Sequence, residues 1–466
     1  MTERSEGFWD RALHQLSGAW QEIADAALIR VGASVRAGLP DDDRDRLREG
    51  VRECIEARGG EALARARAAH IGHTYLDLDQ VGRRRFLMML AVDFDIDVDE
   101  VEREAQALIH ASDPGTKRAL AGSLREVTEA PRMRLFTQFN GLPEGLKFLV
   151  DMRADALAGR HDEPLLLRVS DDLQRLLSAW FDVGFLELQS LSWDSPASLL
   201  EKLIAYEAVH RITSWDDLKN RLESDRRLFA FFHPNMADEP LIFVEVALVD
   251  AMADNVQRLL DPDAPLVAPE NAESAIFYSI SNTQPGLAGV SLGDFLIKRV
   301  VDELKRELPN LKTFATLSPM PGFARWLRRY LADGPPLSLA PAGLDREEAA
   351  PELALALDSA TAEAIKPWRQ QLMALAAHYL LEEKRGDRPV DPVARFHLTN
   401  GARIERLNWQ GDLSGKGIAE SAGLMVNYLY RLDNIAKNHE SFVTRGRIVA
   451  SGDVRGLARH ARLDDR

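Results

Sequence analysis

Residues 275–298, AIFYSISNTQPGLAGVSLGDFLIK, constrain this chain more than any other stretch. Ile276, Phe277, Tyr278 and Ile280 are aromatic or aliphatic with no breaker among them, so the stretch opens as a strand. It turns through Gln284, Pro285 and Gly286 and again at Gly289, where small residues let the backbone approach a ligand closely. Ser291 is placed as a helix N-cap, with Asp294 three residues on in near capping-box spacing. Leu292, Phe295, Leu296, Val300, Leu304 and Leu308 then recur at helical spacing until Pro309 stops the run. A strand, a glycine turn and a helix N-terminus in succession make an anion site, because free backbone N–H groups and the positive end of the helix dipole point at the turn. An ordinary strand-to-helix connection has the same grammar, so the stretch alone leaves both readings open.

Familiar phosphate fingerprints narrow the choice. The turn lacks Gly-x-Gly-x-x-Gly spacing, and no Gly-Lys-Ser/Thr follows it, so neither a dinucleotide fold nor a P-loop is supported. Gln284, Gly286 and Gly289 resemble, in residue type, the pyrophosphate loop of GNAT acetyltransferases, which cradles coenzyme A before a helix.

A chain of 466 residues is too long for one compact core, so two domains are expected. The net charge of −15 argues against general nucleic-acid binding, while a small anionic ligand needs only a local cationic patch. The single cysteine, Cys54, excludes an intrachain disulfide and fits a reducing compartment. The start has no apolar signal core, and the longest apolar runs, 86–92 and 240–244, are too short to span a bilayer. The last residues are not a peroxisomal Ser-Lys-Leu. A cytoplasmic, soluble protein is expected, with no membrane and no nucleic-acid partner.

Residues 1–185 read as helical throughout. Trp9, Leu13, Leu16, Trp20, Ile23 and Ala27 mark one amphipathic face, and helices over 81–92, 98–110, 117–128 and 146–158 are separated by short Gly/Pro stops. Short connections between amphipathic helices imply an antiparallel bundle, read here as a scaffold or assembly domain. His70 and His73 have metal-compatible spacing but no accompanying ligand pattern, so no metal is expected.

Residues 186–466 switch to mixed strand and helix. Strands are expected at 185–192, 227–232, 241–248, 275–280 and 311–317, the last interrupted by Ser318-Pro319. Helices are expected at 195–210, 215–223, 292–308 and 323–331, with a helical insertion near 346–385. Residues 393–399 and 402–409 read as a hairpin about Asn400-Gly401, and 417–432 as a last helix. The fold class is therefore α+β in two domains: an all-α bundle followed by a GNAT-like mixed α/β catalytic domain.

Several blocks together resemble malonyl-CoA decarboxylases: 277–298, 317–323 (LSPMPGF), 396–402 (FHLTNGA) and 423–428 (GLMVNY). With the helical front half, the likeness covers nearly the whole chain. It implies a helical domain for oligomerisation, expected to give a tetramer, and a GNAT-like domain that converts malonyl-CoA to acetyl-CoA and CO₂. It also implies a catalytic serine and histidine, which fall on Ser318 and His397, with a further site serine at Ser279. Animal members resemble this stretch but carry glutamate where this chain has Ser291, so any role of that glutamate is not carried over.

The residue types suit the chemistry. A malonyl thioester carries its own electron sink, because loss of CO₂ leaves an enolate delocalised onto the thioester oxygen, so neither metal nor organic cofactor is required. The protein must hold the CoA tail, stabilise the enolate with fixed donors and deliver a proton to carbon. Histidine suits the proton, since its ordinary pKa lies near neutrality. Read as a strand residue, His397 faces solvent beside Arg395, and only the family likeness makes it catalytic. Ser318 sits where a strand ends and Pro319 forbids further pairing; by itself it is equally a turn serine. No Gly-x-Ser-x-Gly elbow surrounds it, which favours a hydrogen-bonding serine over a nucleophile. Ser279 is either a core-facing or a carbonyl-binding serine. Lys298 and Arg299 either meet CoA phosphates or are solvated helix charges. Two other functions stay open: a GNAT-type acyltransferase, which needs an acceptor-amine groove and a base near the fourth strand, and a helical scaffold carrying a silent CoA-binding domain.

Overall fold

The computed structural model describes residues 18–24, 35–181, 183–290, 296–332 and 346–461. The chain divides into two compact units, Met1–Phe185 with His233–Ala237 and Gln284–Leu292, and Leu186–Phe232 with Asp238–Thr283 and Gly293–Arg466. Among the described residues no helix is long and apolar enough to cross a membrane.

The first unit is helical, as its periodicity requires. Its long helices are Asp41–Ile55, Glu61–Asp77, Gln80–Asp93, Val98–His110, Pro114–Val127, Arg132–Asn140, Gly145–Gly159 and Leu166–Trp180. Three of them start on an aspartate that accepts a backbone N–H of the first turn: Asp79 from Gly82, Asp97 from Glu100 and Asp113 from Thr116. Trp20, Tyr75, Phe86, Phe139 and Phe148 fill the core, with the Trp20 and Phe148 rings crossing edge-on at 4.7 Å. The rest of the amphipathic face read at the N-terminus (Trp9, Leu13, Leu16 and Ala27) lies outside the described residues.

The second unit is built on one sheet. Its strands are β1 (Glu187–Leu191), β2 (Arg226–Phe232), β3 (Ile242–Val249), β4 (Ser274–Asn282), β5 (Thr313–Thr316) and β6 (Ser318–Pro319). A two-residue pair, β7 (Lys384–Arg385) and β8 (Arg388–Pro389), stands apart, followed by β9 (Arg403–Asn408) and β10 (Met425–Leu429). The order is β1-β2-β3-β4-β5-β10-β6, with β9 also on β10. All neighbours in this sheet are antiparallel except β4 and β5, which run parallel through four register pairs ending at Phe277 and Thr316. Beyond that pair the two strands part: β4 continues along β3, and the chain after β5 crosses to pair with β10.

Three expectations change here. Residues 392–399 are a helix and not a hairpin arm, because Asp391 caps the Ala394 N–H and Pro392 takes the first helical position. Asn400-Gly401 is its C-terminal stop: Gly401 has φ +81° and Ala402 N–H bonds back to the His397 carbonyl. Residues 417–432 are not one helix. Gly415–Ser421 is helical, Ala422 and Gly423 turn at positive φ, and β10 follows as a central strand. Pro319 does not end pairing, since it sits opposite Met425 in the short β6–β10 ladder.

Candidate active site

The Pro392–Thr399 helix buries one stripe, Ala394, His397 and Leu398, and leaves Arg395 exposed. His397 is therefore turned inward, 2% exposed, where a strand reading faced it to solvent. Its Nε2 lies 3.1 Å from the Ser318 hydroxyl, and its Nδ1 lies 2.8 Å from the Tyr430 hydroxyl. The imidazole also stacks on Tyr428, centroids 4.5 Å apart and planes at 26°. Burial drives the His397 pKa down to about 3, so the resting ring is neutral across the physiological range. That differs from the near-neutral value expected for a proton donor, and desolvation is the reason. Burial likewise pushes the Tyr430 phenol well above its ordinary value.

Ser318 is placed by the break in the sheet. Leu317 N–H donates to the Phe277 carbonyl, the last bond before β4 and the chain after β5 part. Ser318 then pairs with Val426, and its hydroxyl donates to Thr316 Oγ1 at 2.9 Å. Thr316 Oγ1 also accepts the Tyr428 N–H at 3.1 Å, filling the place of a backbone carbonyl where β10 changes partner. Asn427 closes the same gap by donating to the Thr316 carbonyl at 2.7 Å. Serine, threonine, histidine and two tyrosines thus form one buried array. The Tyr428 hydroxyl is buried without a hydrogen-bond partner. Asp391 caps the histidine helix, accepts from Tyr379 at 3.3 Å, and is held protonated up to about pH 6 by burial.

Ser279 belongs to a different group. Its hydroxyl donates to the Glu207 carboxylate at 2.8 and 2.9 Å, Ser281 adds a bond at 3.2 Å, and Glu207 also accepts the N–H groups of Val209 and His210. Opposite Ser279 in the ladder, Glu245 pairs with Arg221 at 2.8 Å, and burial lifts its pKa to about 7. No hydrogen bond joins this group to the Ser318–His397 pair among the described residues. A cavity of about 830 Å³ opens beside it, lined by His210, Asp217, Arg221, Gln257, Asp412 and Lys416.

The glycine turn packs on the helices. The segment Gln284–Leu292 clusters with the first unit, and Gly286 lies against the backbone of Val150, where an added Cβ would come within 1.8 Å of the carbonyl oxygen. Arg153 donates to the Gly286 carbonyl, and the Gln174 amide donates to that of Gly289 at 3.0 Å. Ser291 lies outside the described residues. Lys298 is exposed, while Arg299 donates to the Leu186 carbonyl at 2.9 Å and sits 5.4 Å over the Phe231 ring. Of the residues singled out by sequence, Ser318 and His397 meet in a hydrogen bond, while the Ser279 hydroxyl is spent on Glu207.

Family comparisons agree along the chain. The malonyl-CoA decarboxylase C-terminal domain matches residues 184–465, and the N-terminal domain of the same family matches 94–181. The mitochondrial malonyl-CoA decarboxylase of Anser anser anser is 37% identical over 422 residues, 84% of this chain and 83% of that protein. The crystal structure of malonyl-CoA decarboxylase from Rhodopseudomonas palustris is 44% identical, covers 89% of this chain and 99% of its own, and gives a TM-score of 0.82. The structure from Agrobacterium vitis gives 0.78 at 40% identity, again over 89% and 99%. A helical unit, a mixed sheet and these matches define a two-domain carboxy-lyase. The chain belongs to the malonyl-CoA decarboxylase family.

Proposed function

We propose that this protein converts malonyl-CoA to acetyl-CoA and CO₂ without metal or organic cofactor, using Ser318 and His397 as one unit. The observation that carries the reading is the buried contact between Ser318 Oγ and His397 Nε2, at the point where β4 and the chain after β5 part, in a member of this family. An acyl chain lying in that parting brings its thioester to fixed donors in a dry site, where each is worth about 3–4 kcal/mol. The C–C bond electrons pass into the thioester carbonyl, CO₂ leaves, and the enolate takes a proton at carbon. Ser318 orients the departing carboxylate or the enolate. His397 is neutral at rest, and the incoming carboxylate raises its proton affinity. The imidazolium formed on binding, by uptake of one proton from water, gives that proton to carbon: CO₂ leaves neutral, the charge left on the enolate is quenched by protonation, and His397 returns to its neutral state.

The CoA phosphates are assigned to the loop Gln284, Gly286, Gly289 and Ser291 and to Lys298, with Arg299 holding the helix that follows. Residues 1–185 are assigned to assembly as a homo-oligomer, a tetramer in the family reading. Exposed apolar side chains such as Val98 (66%) and Ile109 (74%) on the helical unit support this. A second reading, acyl transfer to an amine, is favoured by one observation: the His210-lined cavity has Asp217 and Asp412 in its walls, carboxylates that an amine acceptor could pair with, alongside Arg221 and Lys416. Incubation with malonyl-CoA alone separates the two, since CO₂ and acetyl-CoA formed without added acceptor require decarboxylation. His397→Asn and Ser318→Ala should each lower turnover about 10²–10⁴-fold with CoA affinity near wild type. Full turnover in His397→Asn removes the histidine from the mechanism, and activity lost on chelation and restored by one divalent ion overturns the cofactor-free reading.

A further inference from the structure

Beyond the serine–histidine pair, we infer that Tyr430 is the positioning residue that locks His397 in the tautomer bearing its proton on Nε2, aimed at Ser318. The inference rests on the dyad reading above and follows from where each hydrogen goes. The Ser318 hydroxyl has one proton, and it is given to Thr316 Oγ1 at 2.9 Å. Toward His397, Ser318 Oγ is therefore an acceptor, so the 3.1 Å contact needs a proton on Nε2. A neutral imidazole carries only one N–H, which leaves Nδ1 as a bare lone pair. A bare nitrogen at a fully buried site must find a donor. The Tyr430 hydroxyl, 2.8 Å away on β10's far end, fills that role.

The hydrogen bonds of the array run in one direction. Tyr430 O–H donates to Nδ1, Nε2–H to Ser318, Ser318 O–H to Thr316, and Tyr428 N–H closes the far end on the same threonine oxygen. A backbone N–H can only donate, so Thr316 Oγ1 accepts from Tyr428 on one lone pair, and the Ser318 hydroxyl is directed at the other. Tyr430 itself is held by its own N–H on the Phe314 carbonyl at 2.8 Å and by an edge-on contact with Phe277 at 6.2 Å. Its hydroxyl is thus aimed by the sheet, while the ring is aimed by the core. The groups in contact with His397 are the Tyr428 and Tyr430 side chains on or beside β10, the Ser318 hydroxyl on β6 and the Phe396 ring on its own helix. Of these only Tyr430 reaches Nδ1.

Tyr430→Phe removes the hydroxyl and keeps the ring. We expect kcat to fall about 10–100-fold, the usual cost when a histidine loses its orienting partner, with KM for malonyl-CoA unchanged. A second measurement is independent of activity. In ¹⁵N-histidine-labelled full-length protein, the ring signals missing from His397→Asn should show a protonated Nε2 and a bare Nδ1, and Tyr430→Phe should populate the opposite tautomer. Wild-type kcat in Tyr430→Phe, or a ring signature unchanged by it, overturns the inference. A parallel rise in KM and fall in thermal midpoint with no tautomer change makes Tyr430 a packing residue and overturns it equally. The two levels separate cleanly. Full activity in His397→Asn sinks the dyad itself; loss there with full activity in Tyr430→Phe sinks only the tyrosine's role.

Discussion

Replacing Gly286 by alanine tests whether the glycine turn is shaped for a ligand or for the helix behind it. An added Cβ would stand 1.8 Å from the Val150 carbonyl oxygen and 2.7 Å from its carbon. Both are backbone atoms in the middle of the Gly145–Gly159 helix, so no side chain can swing away. Ordinary C···O contact is about 3.4 Å, so loop and helix must separate by roughly 1.5 Å. Overpacking of that kind costs about 1–3 kcal/mol. The same movement draws the Gly286 carbonyl from Arg153, a buried guanidinium that also serves Ser170 and Gln174, and a charged hydrogen bond lost there adds about 1.5–3 kcal/mol. Gly289→Ala is the control. Its φ of +76° makes alanine cost about 1 kcal/mol, but its nearest neighbour is the flexible end of Gln174 at 3.3 Å. We expect thermal unfolding of the ligand-free protein to begin several degrees lower in Gly286→Ala, with a smaller change in Gly289→Ala. KM for malonyl-CoA should rise in Gly286→Ala because the loop is displaced. A Gly286→Ala protein that melts like wild type without ligand refutes the argument, because then the helix contact does not hold the turn.

Two further outcomes follow from the geometry. Asp391 has its folded pKa raised from 3.8 to about 6, so between those values the folded state holds a proton that the unfolded chain has released. Its contribution is most favourable below about pH 4 and is lost as pH rises to 6, worth roughly 3 kcal/mol in all. Asp391→Asn should abolish that part of the pH slope and be the more stable protein at pH 7, checked by urea unfolding at pH 4 and 7; equal slopes in both proteins would count against it. Ile109→Asp, on an exposed apolar position of the helical unit, should lower the number of subunits per particle measured by light scattering, and an unchanged particle mass would free this face from any part in assembly.

Local rules were enough for the helices of the first unit, because Asp113-Pro114 and similar pairs announce their starts and apolar residues recur at 3.6. They also located the strands of the second unit up to β5. They failed at 392–399, where Phe396, Leu398 and Thr399 look like strand formers and Asn-Gly looks like a hairpin. The overlooked signal was Asp391-Pro392, an N-cap followed by proline at the first helical position, with Ala394, His397 and Leu398 spaced for one helix face. They failed again at β10, where Ala422-Gly423 breaks the helix and Val426, Tyr428 and Tyr430 follow. Missing β10 hid Tyr428 and Tyr430 from the site altogether. Thr316 and Glu207 carry no local pattern at all. Their roles come from partners more than 70 residues away, 112 for the Thr316–Tyr428 bond and 72 for Glu207–Ser279, and no window of sequence holds both ends.

The place of β10 in the sheet also governs when the molecule can be finished. It is the last strand made, yet it is the one that β5, β6 and β9 all need. On the ribosome, Thr316 must wait for Tyr428 through 112 further residues, about 5–20 s of synthesis. During that interval β5 presents an unsatisfied edge, the kind of surface that recruits strands from other chains. A nascent chain cut anywhere before Met425 leaves that edge open and leaves His397 without its tyrosines. Premature stops ahead of Met425 should therefore yield aggregates, not weakened enzyme.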